Sequence, residues 1–195
     1  MPFLQTICEY QIIAMETWQD QLLVGGGDTF LHYHLADRGP FPIPHGSFYD
    51  TTTQTIAVAN TAYSMSYNTT VLSNLTHVSG TNVYVETSGV YNIQFSCQLE
   101  NSDSTDHDVD IWLSVNGTNA AETNTKIAVP SQHGGVNGHA VAAWNFFERM
   151  NRNDYFELKW SAASTQVSMP HFVAASSPTR PSTPSVILTV QLVSI

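Results

Sequence analysis

Histidines are the first residues of this chain whose type and spacing could do chemistry. His32 and His34 flank Tyr33, so an extended segment would place both imidazoles on one side of the strand. Such pairs, repeated around the axis of a parallel trimer, would form a cage of nitrogens suited to a transition metal. An ordinary polar strand explains the same pattern without any metal.

Four aspartates form a second candidate for metal chemistry. Asp103, Asp106, Asp108 and Asp110 follow one another closely, but the segment lacks the glycine turn and the closing glutamate of an EF-hand loop. We interpret it as a solvated acidic loop between two strands. We therefore expect no metal and no cofactor, with the two histidines as the only candidate ligands.

Catalytic motifs are missing from the sequence. There is no Gly-x-Ser-x-Gly elbow and no His-Glu-x-x-His helix, and the Gly25-Gly26-Gly27-Asp28 run lacks the lysine of a phosphate-binding loop. Cys97 lies within a predicted strand, where a thiol packs as a small hydrophobic group rather than acting as a nucleophile. Cys8 and Cys97 are the two cysteines of the chain. We expect both thiols to be unpaired, in a reducing compartment. The sequence predicts that the protein is not an enzyme.

Composition excludes several classes of partner. The chain has 195 residues, six of them basic, and a net charge of −10, so no basic cluster could neutralise a nucleic-acid backbone. The same sign disfavours anionic membrane surfaces, and no apolar run approaches the ~20 residues of a membrane span. We expect neither nucleic acid nor membrane as a partner. Only 11% of the residues are charged and 42% are hydrophobic, which favours a folded β-protein.

The segment from Gly89 to Leu99 carries the clearest structural pattern. Its apolar residues recur at every second position, which predicts a strand with one face on a core. The other face carries Asn92, Gln94, Ser96 and Gln98 and no charge. A solvated strand normally carries charges, so this amide face indicates contact with another subunit.

The chain divides into two predicted parts. Residues 1–46 contain a Gly25-Gly26-Gly27 break and the stiff segment Pro40-Phe41-Pro42-Ile43-Pro44, and we interpret them as an N-terminal arm with a Pro-rich linker. Residues 47–195 form the predicted domain. Ten strands are predicted there, at residues 54–59, 62–67, 83–87, 90–99, 109–115, 125–129, 140–150, 155–161, 165–169 and 186–193. Many short strands without helices between them indicate an all-β sandwich or barrel.

Several motifs resemble those of TNF/C1q-like jelly rolls. Residues 89–95 are similar to the Gly-x-Tyr-x-Phe strand of that family, and residues 111–118 to its strand that ends in Asn-Gly. Residues 153–158 resemble its Gly-Asp-x-Val-x-Leu turn, with Asn153 in place of the glycine. Residues 185–190 occupy the position where those domains run their last strand through the trimer centre. The resemblance implies an antiparallel jelly-roll β-sandwich.

A further resemblance is to jelly-roll domains in structural proteins of tailed bacteriophages, cyanobacterial ones in particular. It rests on residues 110–113, 143–147, 158–161 and 184–190, which recur in this order. It implies a virion component built as a homotrimer, most simply a capsid decoration (cement) protein that stabilises the head lattice. The implied partners are a second and third copy of the chain and the major capsid protein, or a fibre or tail protein.

Aromatic and aliphatic side chains supply the candidate contacts. Those expected to anchor the arm on the capsid are Phe3, Leu4, Ile7, Tyr10, Trp18 and Phe30. Those expected at the trimer interface are Trp144, Phe146, Tyr155, Val186, Leu188 and Val190.

Two other functions fit the same fold. A receptor-binding tip or adapter of a tail fibre would recognise a host-surface glycan through loops near residues 133–138 and 171–183. A free lectin or cytokine-like ligand would need a secretion signal, which residues 1–5 do not resemble. Fold analogy alone does not separate these functions.

Overall fold

A computed structural model describes residues 43–195, and all regular secondary structure in this part of the chain is β-strand. The strands, numbered in chain order, are β1 (His45–Asp50), β2 (Gln54–Thr55), β3 (Tyr63–Ser64), β4 (Thr69–Asn74), β5 (Thr76–Ser79), β6 (Asn82–Val85), β7 (Gly89–Asn101), β8 (His107–Val115), β9 (Thr118–Asn119), β10 (Thr125–Val129), β11 (Gly138–Met150), β12 (Tyr155–Ala162), β13 (Val167–Met169), β14 (Ala175–Ser176), β15 (Thr179–Arg180) and β16 (Val186–Ser194). Within residues 43–195, no helix has the length and apolarity needed to cross a membrane.

The strands form two seven-stranded antiparallel sheets and one small hairpin. The first sheet contains β1, β2, β4, β7, β11, β13 and β16. The second contains β3, β5, β6, β8, β9, β10 and β12, and β14 pairs with β15 by itself. All pairings are antiparallel, as expected for an all-β sandwich.

β7 organises the first sheet. β11 pairs with one side of it along its full length, from Met150 opposite Gly89 to Gly138 opposite Asn101. The other side is shared by β16 and, near its end, β13. β16 in turn lies between β7 and β1, and β4 follows β1. The order across the sheet is therefore β11, β7, β16, β1, β4.

One hydrophobic core lies between the sheets. The first sheet contributes alternate residues of β1, β7 and β16, and the second contributes alternate residues of β8 and β12, as the two-residue period requires. The largest completely buried side chains are Trp160, Tyr91, Phe48, Phe156, Met65, Ile93, Leu99, Ile111, Leu113, Met150, Leu158 and Met169. The alternation predicted for the strand after Gly89 is confirmed, because each of Tyr91, Ile93, Phe95, Cys97 and Leu99 is buried.

Two predicted strands are much shorter than expected. Residues 54–59 and 62–67 retain only the two-residue strands β2 and β3. The segment between them turns back on itself because the Tyr63 hydroxyl accepts the N–H groups of Ala57 and Val58, at 3.1 and 3.0 Å. Asn60 sits at φ 56°, a left-handed conformation that ends a strand.

The β8–β9 hairpin follows its turn chemistry. Asn116 and Gly117 have φ values of 50° and 78°, the two positive values of a two-residue type I′ turn. The Asn116 side chain donates to Asp154 and accepts the N–H of Tyr155, at 2.9 and 3.0 Å. The turn is thereby tied to the start of β12.

Candidate functional site

The outward face of the first sheet carries almost no charge. From β7 it presents Asn92, Gln94, Ser96 and Gln98, which are half-buried or exposed. Gln94 lies between Asn145 of β11 and Thr189 of β16 in the register. Amides and hydroxyls thus continue across three neighbouring strands.

The flanking strands extend this face in the same way. β16 contributes Ile187, Thr189, Gln191 and Val193, and β1 contributes His45, Ser47 and Tyr49. Charged groups occur towards the two ends of the strands: Glu100 of β7 lies opposite His139 of β11 with 3.7 Å between Oε2 and Nδ1, and Arg149 of β11 lies opposite Val90 of β7. We call the outward residues of β1, β7 and β16, together with Asn145 of β11, the uncharged face.

β11 is an edge strand with exposed apolar side chains. Val141, Trp144 and Phe147 are 60%, 57% and 63% exposed. Among residues 43–195, β11 pairs with β7 alone, so the second side of its backbone has no strand partner. We call Val141, Trp144, Phe147 and this unpaired backbone the apolar edge.

The predicted trimer-interface residues divide between the surface and the core. Trp144 is exposed on the apolar edge, and Tyr155 is half-buried on the second sheet beside Tyr84, with ring centroids 5.4 Å apart. The structure corrects the other four assignments, because Phe146, Val186, Leu188 and Val190 are buried in the core of their own chain. They cannot reach a second copy.

The correction has a simple physical reason. β16 is apolar at adjacent positions near its start, but the set of Val186, Leu188, Val190 and Leu192 is wholly apolar whereas the other set contains Thr189 and Gln191, and this difference indicates that the first set faces the core. A one-residue shift exchanges the two faces of a strand. Pairing with β1 and β7 directs Val186, Leu188, Val190 and Leu192 inward, so Ile187 and Val193 take the outward positions.

Other sequence candidates lie outside the described residues. These are the metal candidates His32 and His34 and the arm residues Phe3, Leu4, Ile7, Tyr10, Trp18 and Phe30. Their roles stay predictions, as does the boundary between an arm at 1–46 and a domain at 47–195.

The acidic segment is tied to protein donors. Asp103 Oδ2 lies 2.7 Å from His107 Nε2, and this hydrogen bond is the main reason why the pKa of Asp103 is lowered. Asp106 accepts the N–H of Ser131 at 2.7 Å. Lys126 Nζ lies 3.6 and 3.4 Å from Asp108 and Asp110. No group of three or more potential metal ligands occurs within residues 43–195.

Cys97 is buried in the core, as predicted. Burial raises the pKa of its thiol to about 12. The thiol therefore remains protonated at neutral pH, which removes its nucleophilic form.

The second sheet carries an open depression on its outward side. It holds about 560 Å³ and is lined by Asp110, Trp112, Asn119, Ala120, Glu122, Thr123, Asn124 and Ser161. The Trp112 indole Nε1–H donates to Asn119 Oδ1 at 2.8 Å. Asn124 donates to Asp110 Oδ1 at 2.9 Å. This group was not predicted from the sequence, since its members come from β8, β9, β12 and the loop before β10, which are brought together only by the fold.

A partly buried ion pair lies on β12 of the same sheet. Lys159, which lies opposite Trp112 in the register, has its Nζ 2.8 Å from Glu157 Oε2. Ser64 and Thr81 donate to the other Glu157 oxygen at 2.7 and 2.8 Å. Burial opposes ionisation, but these three partners together hold the pKa of Glu157 below its ordinary value.

Comparison with known proteins identifies the fold and nothing finer. No protein-family model matches the chain, and no curated protein matches its sequence. The crystal structure of murine APRIL at pH 5.0 is similar, with a TM-score of 0.51 and 11% identity over 77% of this chain and 99% of that one. The structure of murine APRIL at pH 8.0 gives a TM-score of 0.49 and 12% identity over the same shares. The expected all-β, TNF-like jelly roll is confirmed.

Proposed function

We propose that this chain is a homotrimeric structural protein, in which the apolar edge of one copy packs against the uncharged face of the next. The observation that carries the proposal is the presence of both surfaces on one sheet. Exposed apolar patches mark interaction sites, and interface centres are depleted of charge and enriched in aromatic residues. Trp144 and Phe147 on the edge have these properties, as do the outward residues of β7 on the face, Asn92, Gln94, Ser96 and Gln98.

An edge-to-face contact favours a closed ring. Two different parts of the surface meet in it, and such contacts either close by rotation or continue as a filament. The TNF/C1q-like jelly rolls that this sequence resembles are built as homotrimers, and the shared fold supports the same closure here.

The open backbone of β11 supports the same arrangement. Long exposed edge strands are usually protected by lysine, proline or a bulge, because they pair with other chains. β11 is 13 residues long, contains neither lysine nor proline, and pairs with β7 in one unbroken register. Packing against a neighbouring copy would cover it.

We further propose that the trimer is a virion component, most simply a capsid decoration protein that stabilises the head lattice. The segments that resemble tailed-phage proteins lie on β8, β11, β12 and β16. They include Trp112 and Trp144, which lie outside the core and are not needed to build the fold. The arm at 1–46 would contact the major capsid protein. A fibre tip that binds a glycan is the competing role.

Light scattering after size exclusion tests the trimer. The intact protein should have about three times the 21.5 kDa mass of one chain. Val141→Lys and Phe147→Lys should shift the mass towards one chain, because each buries a charge at the edge-to-face contact. Val58→Lys is the control, since Val58 is similarly exposed in the loop between β2 and β3. Circular dichroism shows that each variant is folded.

Two results would contradict this assembly. One is a monomeric native protein at micromolar concentration. The other is a trimer that survives both edge substitutions in folded protein.

The copy number per particle tests the virion role. Quantitative mass spectrometry of purified virions should give hundreds of copies if the protein decorates the head. A few tens or fewer would favour the tail and the fibre-tip role, and absence from the particle would exclude both.

A further inference from the structure

We propose that the depression beside Trp112 binds an uncharged saccharide. It lies on the outward side of the second sheet, whereas the uncharged face belongs to the first sheet. The inference goes beyond self-association and does not depend on it.

The Trp112 ring supplies an oriented apolar surface. The indole is half-buried, and its hydrogen bond to Asn119 fixes it across the β8–β9 hairpin. The loop that follows is held by Thr123, whose hydroxyl donates to Ala120 O at 2.8 Å and accepts the N–H of Leu113 at 3.1 Å. The C–H groups of a pyranose ring can pack on an aromatic face of this kind.

The polar lining matches sugar hydroxyls, which both donate and accept hydrogen bonds. The side-chain oxygen of Asn119 accepts the hydrogen bond from Trp112, so the amide N–H groups of Asn119 are the donors that it can offer to a sugar hydroxyl. Asn124, Ser161 and Asp110 add amide, hydroxyl and carboxylate groups around the same space. Because the Trp112–Asn119 and Asn124–Asp110 hydrogen bonds exist without ligand, little ordering of these four side chains would oppose binding.

The acidic residues that line the depression determine which class of ligand it can bind. Asp110 and Glu122 line the depression in a chain of net charge −10, so a sialylated or sulfated sugar would be repelled. Asp110 already bonds Asn124 and lies 3.4 Å from Lys126. Its charge is therefore partly compensated, which favours an uncharged sugar over an amine.

Fluorine NMR provides the test. The full-length protein is labelled with fluorotryptophan, and the Trp112 signal among its four tryptophans is assigned with Trp112→Phe. The probes are neutral oligosaccharides of glucose, galactose, mannose and N-acetylglucosamine. Lactose and 3′-sialyllactose form a matched pair that differs only in the charged sugar, and butylamine tests an amine. We expect at least one neutral probe to shift the Trp112 signal saturably, with 3′-sialyllactose weaker than lactose.

Two variants separate the site from the rest of the fold. Because Trp112→Ala removes the fluorine reporter, the affinities of the variants are compared by isothermal titration calorimetry, in which Trp112→Ala should weaken binding of that probe ~10-fold or more. Asn119→Asp keeps an acceptor for the indole but removes the amide donors, and it should weaken binding while leaving the Trp112 signal of the free protein close to its original position. Trp144→Ala is the control, because Trp144 is an exposed tryptophan of the first sheet.

The outcomes distinguish this site from the proposed assembly. Binding that Trp112→Ala abolishes and Trp144→Ala retains supports the inference, whatever mass light scattering gives. No response to any neutral probe overturns it, as does binding that Trp112→Ala leaves unchanged or binding of butylamine alone. A changed mass for Trp144→Ala with unchanged saccharide binding would bear on the trimer only.

Discussion

Trp144 of β11 lies opposite Phe95 of β7, yet Trp144 is 57% exposed and Phe95 only 4%. Alternation directs both side chains to the core side of the sheet, and Phe146 on the same side stacks with Phe95, with centroids 6.1 Å apart. The second sheet does not cover Trp144, because β11 is the outermost strand of the first. An indole at the open seam between the sheets is available to another molecule.

Trp144→Ala and Phe146→Ala should therefore differ sharply. In dilute protein, Trp144→Ala should lower the free energy of unfolding by less than ~1 kcal/mol, whereas Phe146→Ala should lower it by about 3 kcal/mol or more. At higher concentration Trp144→Ala should weaken self-association. Urea denaturation and light scattering measure the two effects, and equal destabilisation by both substitutions would contradict the assignment of Trp144 to the surface.

Cys97 should be unreactive in the folded protein. With its pKa raised to about 12 by burial, the thiolate is almost absent at pH 8. In a Cys8→Ser variant, iodoacetamide should leave native protein unmodified for hours and alkylate it rapidly in urea. Mass spectrometry follows the reaction, and alkylation in native buffer at the rate of a free thiol would refute this.

Glu157 should make stability depend on pH. Its folded pKa lies below the ordinary 4.5 because Lys159, Ser64 and Thr81 outweigh burial. Its ionised form thus stabilises the fold above about pH 4.5, and that contribution is lost as the pH falls through the folded pKa.

The matched variants for this pH dependence are Glu157→Gln and Glu122→Gln, the second at an exposed loop position. We expect the native protein and Glu122→Gln to lose stability together on acidification from pH 7 to pH 3. Glu157→Gln should have a lower free energy of unfolding than the native protein at pH 7 and should lose less of it by pH 3. Urea denaturation at several pH values measures this, and parallel curves for all three proteins would argue against the role of Glu157.

Removing the hydroxyl group from either of two buried tyrosines should have different effects on the stability of the fold. The Tyr91 hydroxyl donates to Thr87 O at 2.7 Å, so Tyr91→Phe should cost about 1 kcal/mol. The Tyr67 hydroxyl is buried without a partner among the described residues, and burial raises its pKa far above the ordinary value. Tyr67→Phe should leave thermal stability unchanged or raise it. A loss as large as that of Tyr91→Phe would show that the Tyr67 hydroxyl is bonded.

Gly138 at the start of β11 has no room for a side chain. A Cβ there would overlap the backbone oxygen of Pro130, so Gly138→Ala should destabilise the fold by ~3 kcal/mol or more. Gly134→Ala is the control. Gly134 lies in open space at φ 60°, and alanine there should cost only roughly 1 kcal/mol of backbone strain. Melting temperatures rank the two, and the reverse order would contradict the packing at Gly138.

The sequence was informative where one face of a strand is apolar and the other polar. β7 shows this alternation, and β10 was predicted with its observed bounds, residues 125–129. The Asn116-Gly117 turn was equally predictable, because few residues accept positive φ at two successive positions.

The sequence was uninformative where apolar and polar residues do not alternate along a strand. β4 and β5 consist largely of polar and exposed residues, so none of the ten predicted strands covers them, and their pairing with β1 and β6 defines them. β16 alternates clearly only in its middle, where Thr189 and Gln191 face outward, and at its start the pairing with β1 and β7 directs Val186 inward and Ile187 outward. The depression at Trp112 depends on contacts between separate segments, which no local pattern encodes.

The position of β16 has a consequence for synthesis of the protein. β16 lies in the middle of the first sheet, where His45 pairs with Gln191 and Val186 with Cys97. A nascent chain that has already left the ribosome through β7 and β11 still lacks this central strand. Such high contact order slows folding, and the sheet can close only after residues 186–194 have been translated. Before that moment both β1 and β7 expose an unsatisfied side, so chaperone binding should concentrate in this interval.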